Sequence, residues 1–547
     1  ASGEPVVCTV DMGLSQVKFK AWRVNVGRCP AYLLDTNLPE NEQHYRDLTL
    51  RVYGGDSTTR IMQEILLGIG GVRLLRRLGI QPSVFHLNEG HAAFLTLELI
   101  RERLAAGKSF ADALAITRQQ CIFTTHTPVE AGHDRFSSSL VDYALKSYSS
   151  QLKLSLEQIM ALGRVDPKDS DELFCMTVLA LKVARAANGV SELHGQVSRR
   201  MWHCLWPDRP VEQVPIGHIT NGVHLLGWMK GPVRRFWRRK LTHHSVPPSA
   251  PAGVGKETDF WSSKERRWES AINDPVFWQK MADPDFISDE EIWALRYKLR
   301  RELIEFARRR LLIQGRSLSQ GDFIAFDQLL HCDALTIGFA RRFATYKRAP
   351  LIFQQFENIL KLVNDRQRPI QFIFAGKAHP RDDDGKRYIQ HVIHLSRYSE
   401  LKGHLVFIEN YDVHVARTMV SGCDVWLNNP RRPLEASGTS GQKAGCHGCL
   451  NLSILDGWWR EGYDGTNGFA IGDDSHPDSI EEQDRRDSQD LYQTLTEKVI
   501  PLFFERDANG IPRRWIQMIR RAMVTLVPQF NTWRMVQEYT RKYYVPK

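Results

Sequence analysis

Two segments of the chain combine cationic, carboxylate and small residues in patterns suited to binding a phosphate group. The first, residues 338–348, contains Arg342 and Lys347. An arginine binds phosphate through two parallel hydrogen bonds, whereas a lysine contributes a mobile point charge. Because the segment follows an apolar run and precedes a helical pattern, we expect both cations to converge on one dianion beyond a strand. A basic loop in water is the alternative that composition leaves open.

The second segment, residues 428–443, also follows an apolar run, and it ends in a lysine. Its glycines and serines let backbone N–H groups approach an anion, and the start of a helix favours negative charge. Glu435 offers a carboxylate to sugar hydroxyls, and Lys443 offers an amine that could form a Schiff base with an aldehyde cofactor. A glycine–serine turn that ends in lysine is also common on protein surfaces, so this pattern alone does not identify a site.

The elements around these loops predict an α/β fold with parallel sheets and helices on both faces. The predicted buried strands are residues 84–87, 121–124, 335–339, 370–375, 405–408 and 425–427. The predicted helices include residues 61–78, 289–312, 351–363 and 413–420. In such sheets ligands bind beyond the carboxyl ends of the strands, where both loops begin.

The chain has 547 residues, too many for one ordinary core, so at least two domains are expected. The strand pattern falls into two groups, which predicts domains at 1–221 and 222–547, with a surface insertion at 245–267. No apolar run of about 18 residues occurs, so no membrane span is expected. The first residues do not resemble a signal peptide, and the absence of an initiator Met is consistent with a chain cut from a longer one.

Charge and cysteine content narrow the function classes. The net charge is +10, and part of it is clustered at residues 234–240 around Trp237. Such a cluster could bind nucleic acid, but a solvated helix face is the simpler interpretation, so no nucleic-acid partner is expected. The nine scattered cysteines predict reduced thiols and a cytoplasmic setting. Cys446 and Cys449 have the spacing of half a zinc site, but no second pair exists, so no metal is expected.

The segment 435–443, Glu-Ala-Ser-Gly-Thr-Ser-Gly-Gln-Lys, resembles the pyridoxal-phosphate lysine motif of glycogen and α-glucan phosphorylases. The stretch 342–348 resembles the phosphate-binding segment of the same family. Further matches follow in family order along the chain, at residues 86–91, 124–128, 220–223, 375–380, 409–411 and 455–459. The bacterial and archaeal branch of the family is the most similar.

The resemblance implies an activity, a cofactor and a fold. Phosphorylases of this family transfer the non-reducing-end glucose of an α-1,4-glucan or maltooligosaccharide to inorganic phosphate, giving glucose 1-phosphate with retention. Their cofactor is pyridoxal 5′-phosphate, whose phosphate exchanges a proton with the substrate phosphate. The implied fold is of the GT-B type, with two Rossmann-like domains facing a central cleft. The N-terminal domain is then incomplete and on the glucan side, the second domain carries cofactor and phosphate, and a homo-oligomer is compatible with the family.

The resemblance also implies roles for individual residues. Lys443 resembles the lysine that tethers the cofactor, and it forms the expected catalytic set with Arg342 and Lys347, which resemble the residues that hold the substrate phosphate. Four residues match positions that line the cofactor: Arg341, Tyr411, Thr439 and Ser440. Five residues match positions that contact the glucosyl ring: His126, Asn221, Glu435, Ser437 and Gly438. Glu89 and His91 are expected either to shape the cleft or to serve an ordinary strand-end role.

The chain departs from the family pattern at several points. No glycine-rich loop that would face the phosphate is found near the N-terminus, since the glycines at 68–71 lie inside a helical pattern where helix packing explains them. Gln442 replaces the usual Met, His447 replaces the usual Asn, and residues 225–226 are Leu-Leu where Thr-Pro is usual.

Three other functions stay open on the sequence. One is an inactive fragment or paralogue that binds glucan or pyridoxal phosphate without turnover. Another is a nucleotide-sugar glycosyltransferase of the same fold, which would need neither the cofactor nor Lys443. The last is a pyridoxal enzyme acting on amino acids, for which no suitable carboxylate and arginine pair is found.

Overall fold

The computed structural model describes residues 5–51, 55–243, 268, 270–315, 329–380, 382–473, 475 and 479–545. These residues form a mixed α/β protein whose two main sheets are parallel, as the sequence predicts. The chain divides into two compact units, one of residues 1–219 and 540–547 and the other of residues 220–539. The predicted insertion at 245–267 lies outside the described residues. None of the described helices combines the length and apolar character needed to span a bilayer.

The first unit contains an antiparallel sheet, a parallel sheet and a short strand pair. Its strands are β1 (Val7–Met12), β2 (Ser15–Val26), β3 (Cys29–Asp35), β4 (Phe85–Asn88), β5 (Cys121–Thr124), β6 (Arg135–Phe136), β7 (Phe174–Cys175), β8 (Ala186–Gly189) and β9 (Ile216–His218). Strands β1, β2 and β3 form the antiparallel sheet, and β6 pairs with β7. The parallel sheet has the order β4-β5-β8-β9, which is also the order of these strands along the chain.

The helices of the first unit lie between and around these strands. They are Gln43–Arg46, Ser57–Ile65, Gly71–Arg77, Leu95–Ala105, Phe110–Gln120, Ser138–Ala144, Lys146–Leu152, Leu156–Gly163, Met176–Val183 and Glu192–Met201. Several begin at a capping residue whose side chain accepts a hydrogen bond from a first-turn N–H, such as Ser109 and Ser155.

The predicted helix at 61–78 is present, but a wider π-type turn, Leu66–Gly70, interrupts it. A Cβ atom added at Gly68 would lie 2.6 Å from the backbone nitrogen of Leu95 in the next helix, so the glycine permits close helix contact. This agrees with the predicted role in helix packing for Gly68, whereas a Cβ atom at Gly71 would meet nothing within 4 Å.

The antiparallel sheet of residues 7–35 is not among the predicted elements. Its inner part alternates in the usual way, with Val17 and Phe19 buried. Toward the hairpin end the pattern is lost, because the large apolar side chains Trp22, Val24 and Val26 are exposed. Periodicity depends on one face being buried, and it therefore gave no signal here.

The second unit is built on one parallel sheet of six strands. They are β10 (Leu335–Phe343), β11 (Ile370–Ala378), β12 (Leu405–Ile408), β13 (Val425–Asn428), β14 (Leu450–Ile454) and β15 (Phe469–Ile471). Their order in the sheet is β12-β11-β10-β13-β14-β15. The chain therefore winds outward from β10 in one direction, returns to β10, and winds outward in the other, which is the order of a doubly wound sheet.

Helices cover both faces of this sheet. They are Leu225–Trp228, Gly231–His243, Pro275–Gln279, Asp289–Gly315, Phe356–Val363, Asp383–Leu395, Val413–Gly422, Thr439–Gly445, Trp459–Gly462, Ile480–Thr494, Ile500–Phe504, Arg513–Gln529 and Thr532–Tyr539. Along β11, Phe372 and Phe374 belong to one core cluster, whereas Ile373 and Ala375 belong to another. A strand buried on both faces gives the continuous apolar run from which it was predicted.

The basic cluster at 234–240 lies on the helix Gly231–His243. Arg234 and Arg235 are exposed, whereas Trp237 is 1% exposed and packs against Phe277 and Trp278. An aromatic ring inside the core cannot stack on a nucleic-acid base, so Trp237 is not available for that contact.

Candidate functional site

The switch point of the doubly wound sheet lies between β10 and β13, which are adjacent and parallel. Loops that leave two such strands diverge to opposite faces, and this opens a crevice at their carboxyl ends. Strand β10 carries Arg341 and Arg342 at its end, and β13 ends at Asn428. The two segments selected from the sequence therefore meet at one crevice of the second unit.

Three of the predicted residues form one buried cluster there. Arg341 Nη2 and Lys347 Nζ each donate to the same oxygen of Glu435, at 2.5 Å. Arg341 Nη1 also donates to the side-chain oxygen of Asn428. The side chains of Arg341, Lys347 and Glu435 are no more than 10% exposed, so their charges act on one another with little screening.

The cluster holds more positive than negative charge. Burial by itself raises the pKa of Glu435, but the charges of Arg341 and Lys347 outweigh it and bring the pKa to about 2. Burial and the neighbouring Arg341 charge lower the pKa of Lys347 to about 7, although Glu435 opposes them. One carboxylate is thus too little for two cations, and an incoming anion would stabilise the protonated Lys347.

Asp456, for which the sequence predicted no role, supports the Glu435 loop. Its carboxylate accepts hydrogen bonds from the backbone N–H groups of Glu435 and Gly457, at 2.9 and 2.7 Å. Burial raises the pKa of Asp456 to about 7. Gly457 has φ +54, and a Cβ atom there would lie 2.4 Å from the Ser437 carbonyl oxygen. The only sequence signal for this support was the position of Asp456 just after a strand, within the matched motif at 455–459.

Lys443 lies on the short helix Thr439–Gly445. Its Nζ is 4.1 Å from the centre of the Trp228 ring, and burial lowers its pKa. A lowered pKa increases the fraction of neutral amine, the form that attacks an aldehyde. Among the residues that the structure describes, Lys443 makes no hydrogen bond or ion pair with Arg341, Lys347 or Glu435.

The two unusual residues beside Lys443 both make specific contacts. Gln442 Nε2 donates to the carbonyl oxygen of Asn221 at 2.9 Å, so it links the helix to a residue predicted to contact sugar. Burial lowers the pKa of His447 to about 3, and its Nε2 accepts from the Lys230 N–H at 3.2 Å. Since a neutral imidazole carries one proton, His447 Nδ1 must donate to the Lys443 carbonyl oxygen, 2.7 Å away.

The other predicted residues of the second unit lie around the same loops. Ser440 Oγ accepts from the Trp426 indole at 3.1 Å, and Gly438 adopts φ +84 immediately before the helix that Thr439 begins. Tyr411 is half-buried, and Arg342 is exposed. Ser437 Oγ and Arg341 Nε are among the buried polar atoms of the described residues that have no hydrogen-bond partner.

In the first unit, His126 follows β5 and is held by Glu89. The Glu89 carboxylate accepts from the His126 N–H at 2.7 Å, from the Thr127 hydroxyl at 2.8 Å and from the Gly90 N–H at 3.1 Å. Glu89 has φ +66, a left-handed conformation that is uncommon outside glycine. The His126 side chain is exposed. Glu89 therefore shapes the loop that carries His126.

His91 belongs to a separate charged network. The Nη2 atom of Arg60 lies 2.7 Å from a Glu64 oxygen and 2.9 Å from both an Asp134 oxygen and His91 Nδ1. The hydrogen bond that His91 donates to Asp134, with help from Glu64, raises the pKa of His91 to about 9. The ligand atoms of Glu64, His91 and Asp134 lie within 4.8 Å of one another, but the guanidinium of Arg60 already supplies the positive charge at this position.

A family model described as Carbohydrate phosphorylase matches residues 331–464, which include this crevice. The chain is 42% identical over 543 residues to a maltodextrin phosphorylase of Thermococcus litoralis, covering 99% of this chain and 60% of that protein. It is 41% identical over 568 residues to a glycogen phosphorylase of Mycobacterium tuberculosis, covering 100% and 61%. It is 37% identical over 547 residues to a glycogen phosphorylase of Aquifex aeolicus, covering 99% and 74%. The chain thus spans about 60% of the length of the first two relatives.

Proposed function

Because the chain belongs to the carbohydrate phosphorylase family, we propose that it performs the phosphorolysis of α-1,4-glucans. Inorganic phosphate would take the glucose at the non-reducing end of a glucan or maltooligosaccharide, and glucose 1-phosphate would leave with retained configuration. The relatives named as maltodextrin and glycogen phosphorylases support this reaction and this substrate class.

The observation that carries the proposal is the Arg341–Lys347–Glu435 cluster at the switch point. Two buried cations share one carboxylate oxygen, and Arg342 is exposed beside them. A phosphate dianion that enters the crevice would meet Arg342 first and would then compete with Glu435 for Lys347. Glu435 would become available to sugar hydroxyls, which suits a reaction between a sugar and a phosphate.

The proposal extends to the architecture and to the domain roles. We assign a GT-B type fold made of two Rossmann-like domains, at residues 1–221 and 222–547. The compact units differ from these bounds in that residues 220–221 belong to the second unit and residues 540–547 to the first. The strand order of the second unit supports a Rossmann-like domain for cofactor and phosphate. The first unit would be on the glucan side, where His126 is the residue assigned to sugar. In the second unit Asn221, Ser437 and Gly438 are assigned to sugar.

The residues around Lys443 fit pyridoxal phosphate. The amine of Lys443 has a lowered pKa, and the small residues that precede it let backbone N–H groups come close to a ligand. Buried polar atoms of Arg341 and Ser437 without hydrogen-bond partners are available to a polar ligand. Lys443 would tether the cofactor, and Arg341, Tyr411, Thr439 and Ser440 would line it. When bound, the cofactor supplies a phosphate group that exchanges a proton with the substrate phosphate.

The protein residues would bind, orient and hold charge during this reaction. Lys347, with a pKa of about 7 before phosphate enters, would be held protonated by the dianion. Together with Arg341 and Arg342 it would offset the repulsion between two phosphate groups that must approach each other. Asp456 would keep the Glu435 backbone in place through the hydrogen bond to its N–H.

The reaction is tested by measuring glucose 1-phosphate released from a maltooligosaccharide in the presence of inorganic phosphate. We expect release that depends on both substrates and that is lost in Lys443→Ala. Lys498→Ala, which changes an exposed lysine of the same unit, is the matched control. No release from a protein that still carries the cofactor would favour a non-catalytic glucan-binding role.

The cofactor is tested separately by the absorbance spectrum of the purified protein. We expect a band of bound pyridoxal phosphate that disappears in Lys443→Ala and persists in Lys498→Ala. A band that survives the loss of Lys443 would overturn the tether assignment. Activity with a nucleotide sugar and without any such band would instead support a glycosyltransferase.

A further inference from the structure

We propose that Arg348 is a positioning residue for phosphate. Its guanidinium ties the loop that carries Lys347 to the loop that carries Glu435, and it thereby sets the geometry of the phosphate crevice. Arg348 itself does not touch the reacting groups. The inference rests on the proposed function for its activity measurements.

The side chain of Arg348 is 2% exposed and lies across the first residues after β13. Its Nε donates to the carbonyl oxygen of Asn429 at 3.0 Å, and its Nη2 donates to that of Pro430 at 2.8 Å. Asn429 Nδ2 donates in return to the Arg348 carbonyl oxygen at 2.9 Å. The Arg431 N–H donates to the carbonyl oxygen of Tyr346 at 2.6 Å. Four hydrogen bonds thus join two segments that are distant in sequence.

Two carboxylates of the helix Ile480–Thr494 form ion pairs with the arginines of these two loops. Asp484 Oδ1 lies 2.8 Å from Arg348 Nη1, and Asp484 Oδ2 lies 2.6 Å from Arg431 Nη2. Asp487 adds a second carboxylate, 2.7 Å from Arg348 Nη2. Asp484 therefore bridges one arginine from each loop, and the buried guanidinium of Arg348 has its charge balanced.

The backbone at Arg348 shows why this residue can set the position of Lys347. Arg348 has φ +49, a conformation that side-chain-bearing residues adopt only where their surroundings hold them. With this backbone conformation, the adjacent residues Lys347 and Arg348 contact different ends of the loop that follows β13. Lys347 reaches Glu435, and Arg348 holds Asn429 and Pro430. If the side chain of Arg348 no longer holds Asn429 and Pro430, the two loops can shift. Lys347 and Glu435 then lose their fixed relative positions.

The deciding variant is Arg348→Lys, which keeps the charge but cannot span two carbonyls and two carboxylates at once. We expect the KM for inorganic phosphate to rise by about tenfold or more, as for a lost charge-assisted contact. The KM for maltooligosaccharide should change less than the KM for phosphate, because Glu435 is one of several residues assigned to sugar. The cofactor absorbance should stay unchanged, because Lys443 lies on the separate helix Thr439–Gly445. Arg485→Lys is the matched control, because Arg485 is an exposed arginine of the helix Ile480–Thr494 that carries Asp484.

A merely structural role predicts a different result. In that case Arg348→Lys would lower the unfolding temperature and the active fraction while both KM values stayed unchanged, and this outcome would overturn the inference. If Arg348→Lys does not fold, Asp484→Asn decides, because it removes the bridging charge and preserves shape. A raised KM for phosphate in Asp484→Asn supports the inference, and an unchanged one rejects it.

Phosphate binding without turnover separates this inference from the proposed reaction. Inorganic phosphate that binds the folded state raises the unfolding temperature, and we expect this rise to be smaller in Arg348→Lys than in the wild-type protein. If the wild-type chain binds phosphate but releases no glucose 1-phosphate, the proposed reaction fails. The positioning role is then decided by whether phosphate raises the unfolding temperature less in Arg348→Lys than in the wild type. If the wild-type chain is active and the variant keeps both the shift and the KM, the positioning role alone fails.

Discussion

The carboxyl ends of the parallel strands carry charged residues in both units, but the charges are balanced differently. In the first unit, Glu89 accepts one hydrogen bond from the adjacent Gly90 and two from the loop after β5, and Arg60 lies between the carboxyl groups of Glu64 and Asp134. In the second unit, Arg341 and Lys347 share a single carboxylate oxygen. The sharing of one carboxylate oxygen by two buried cations at the switch point of a sheet, more than the residue types alone, distinguishes the crevice of the second unit from the network of the first.

The difference follows from strand order. Strands β4, β5, β8 and β9 lie in the sheet in their order along the chain, so the described part of the first unit winds in one direction. The second unit reverses its winding between β10 and β13, and only a reversal makes two loops diverge and leave a crevice. Removing charges from each unit in turn tests whether this contrast is functional.

The largest effect is expected from Lys347→Met. It removes one cation of the crevice, and we expect kcat/KM for phosphate to fall by about 10³-fold, which corresponds to roughly 4 kcal/mol of transition-state stabilisation. Arg60→Met in the first unit should change the KM for phosphate by less than about twofold. Initial rates of glucose 1-phosphate formation measure both. A comparable loss of activity with phosphate in the two variants would contradict the proposal that only the second unit binds phosphate.

Glu435→Gln and Glu64→Gln compare the same substitution in the two units. Glu435, with a pKa of about 2, is charged at pH 7, and its loss leaves two buried cations unpaired, at a cost of about 3–5 kcal/mol. Burial raises the pKa of Glu64 to about 8, so a neutral glutamine resembles the form that it has at pH 7, and we expect a change below about 1 kcal/mol. Denaturant unfolding at pH 7 measures both. Equal destabilisation would reject the assigned protonation states.

His91→Gln should destabilise the first unit in a pH-dependent way. The folded pKa of His91 is about 9 and its ordinary value is 6.5, so its contribution is complete below pH 6.5 and is lost as pH rises through 9. We expect the variant to be less stable by about 2 kcal/mol at pH 6 and to match the wild type above pH 9. Unfolding curves across this range test the expectation. A constant difference at every pH would show that the charge of His91 is not involved.

The affinity for phosphate should itself depend on pH through Lys347. Its folded pKa is about 7, well below the ordinary 10.5, so the free protein gains stability as pH rises from 7 toward 10.5, while phosphate binding needs the protonated form. We expect the KM for phosphate to rise above pH 7, by up to about tenfold per pH unit. Lys347→Arg, which stays charged, should flatten this rise. The same pH profile in both proteins would exclude Lys347 as its cause.

The smallest effect is expected from Gln442→Met, which restores the residue usual in the family. It removes the hydrogen bond to the Asn221 carbonyl, worth about 1 kcal/mol. We expect less than about a threefold change in the KM for maltooligosaccharide and none in the KM for phosphate. Steady-state kinetics with each substrate varied in turn distinguish the two. A change in the KM for phosphate alone would show that Gln442 affects phosphate binding and not glucan binding.

Much of the fold was predictable because its strands are buried on both faces. The strands at 121–124 and 405–408 have the predicted bounds, and those at 335–343 and 370–378 extend a few residues further. The extra residues are the polar ends that line the crevice, such as Arg341 and Arg342, and an apolar run cannot include them. The antiparallel sheet at 7–35 was missed because its hairpin end exposes both apolar and polar residues.

The family was also predictable from motifs, and the relatives that cover nearly the whole chain confirm it. The roles of the individual site residues stay predictions. Asp456 and Arg348 were missed as supporting residues because they act through contacts with segments far away in sequence. Asp484 lies 136 residues from Arg348, and no local spacing could have paired them.

The sequence by itself determined the α/β class, the family and the loops in which charged residues gather, because periodicity and motif order are local properties of the chain. Only the tertiary structure decided which charges share a partner. It brought Arg341 and Lys347 to one oxygen of Glu435, and burial there lowered the pKa of Lys347. Pairing and desolvation depend on distances across the fold, and the reversal of the sheet between β10 and β13 sets those distances.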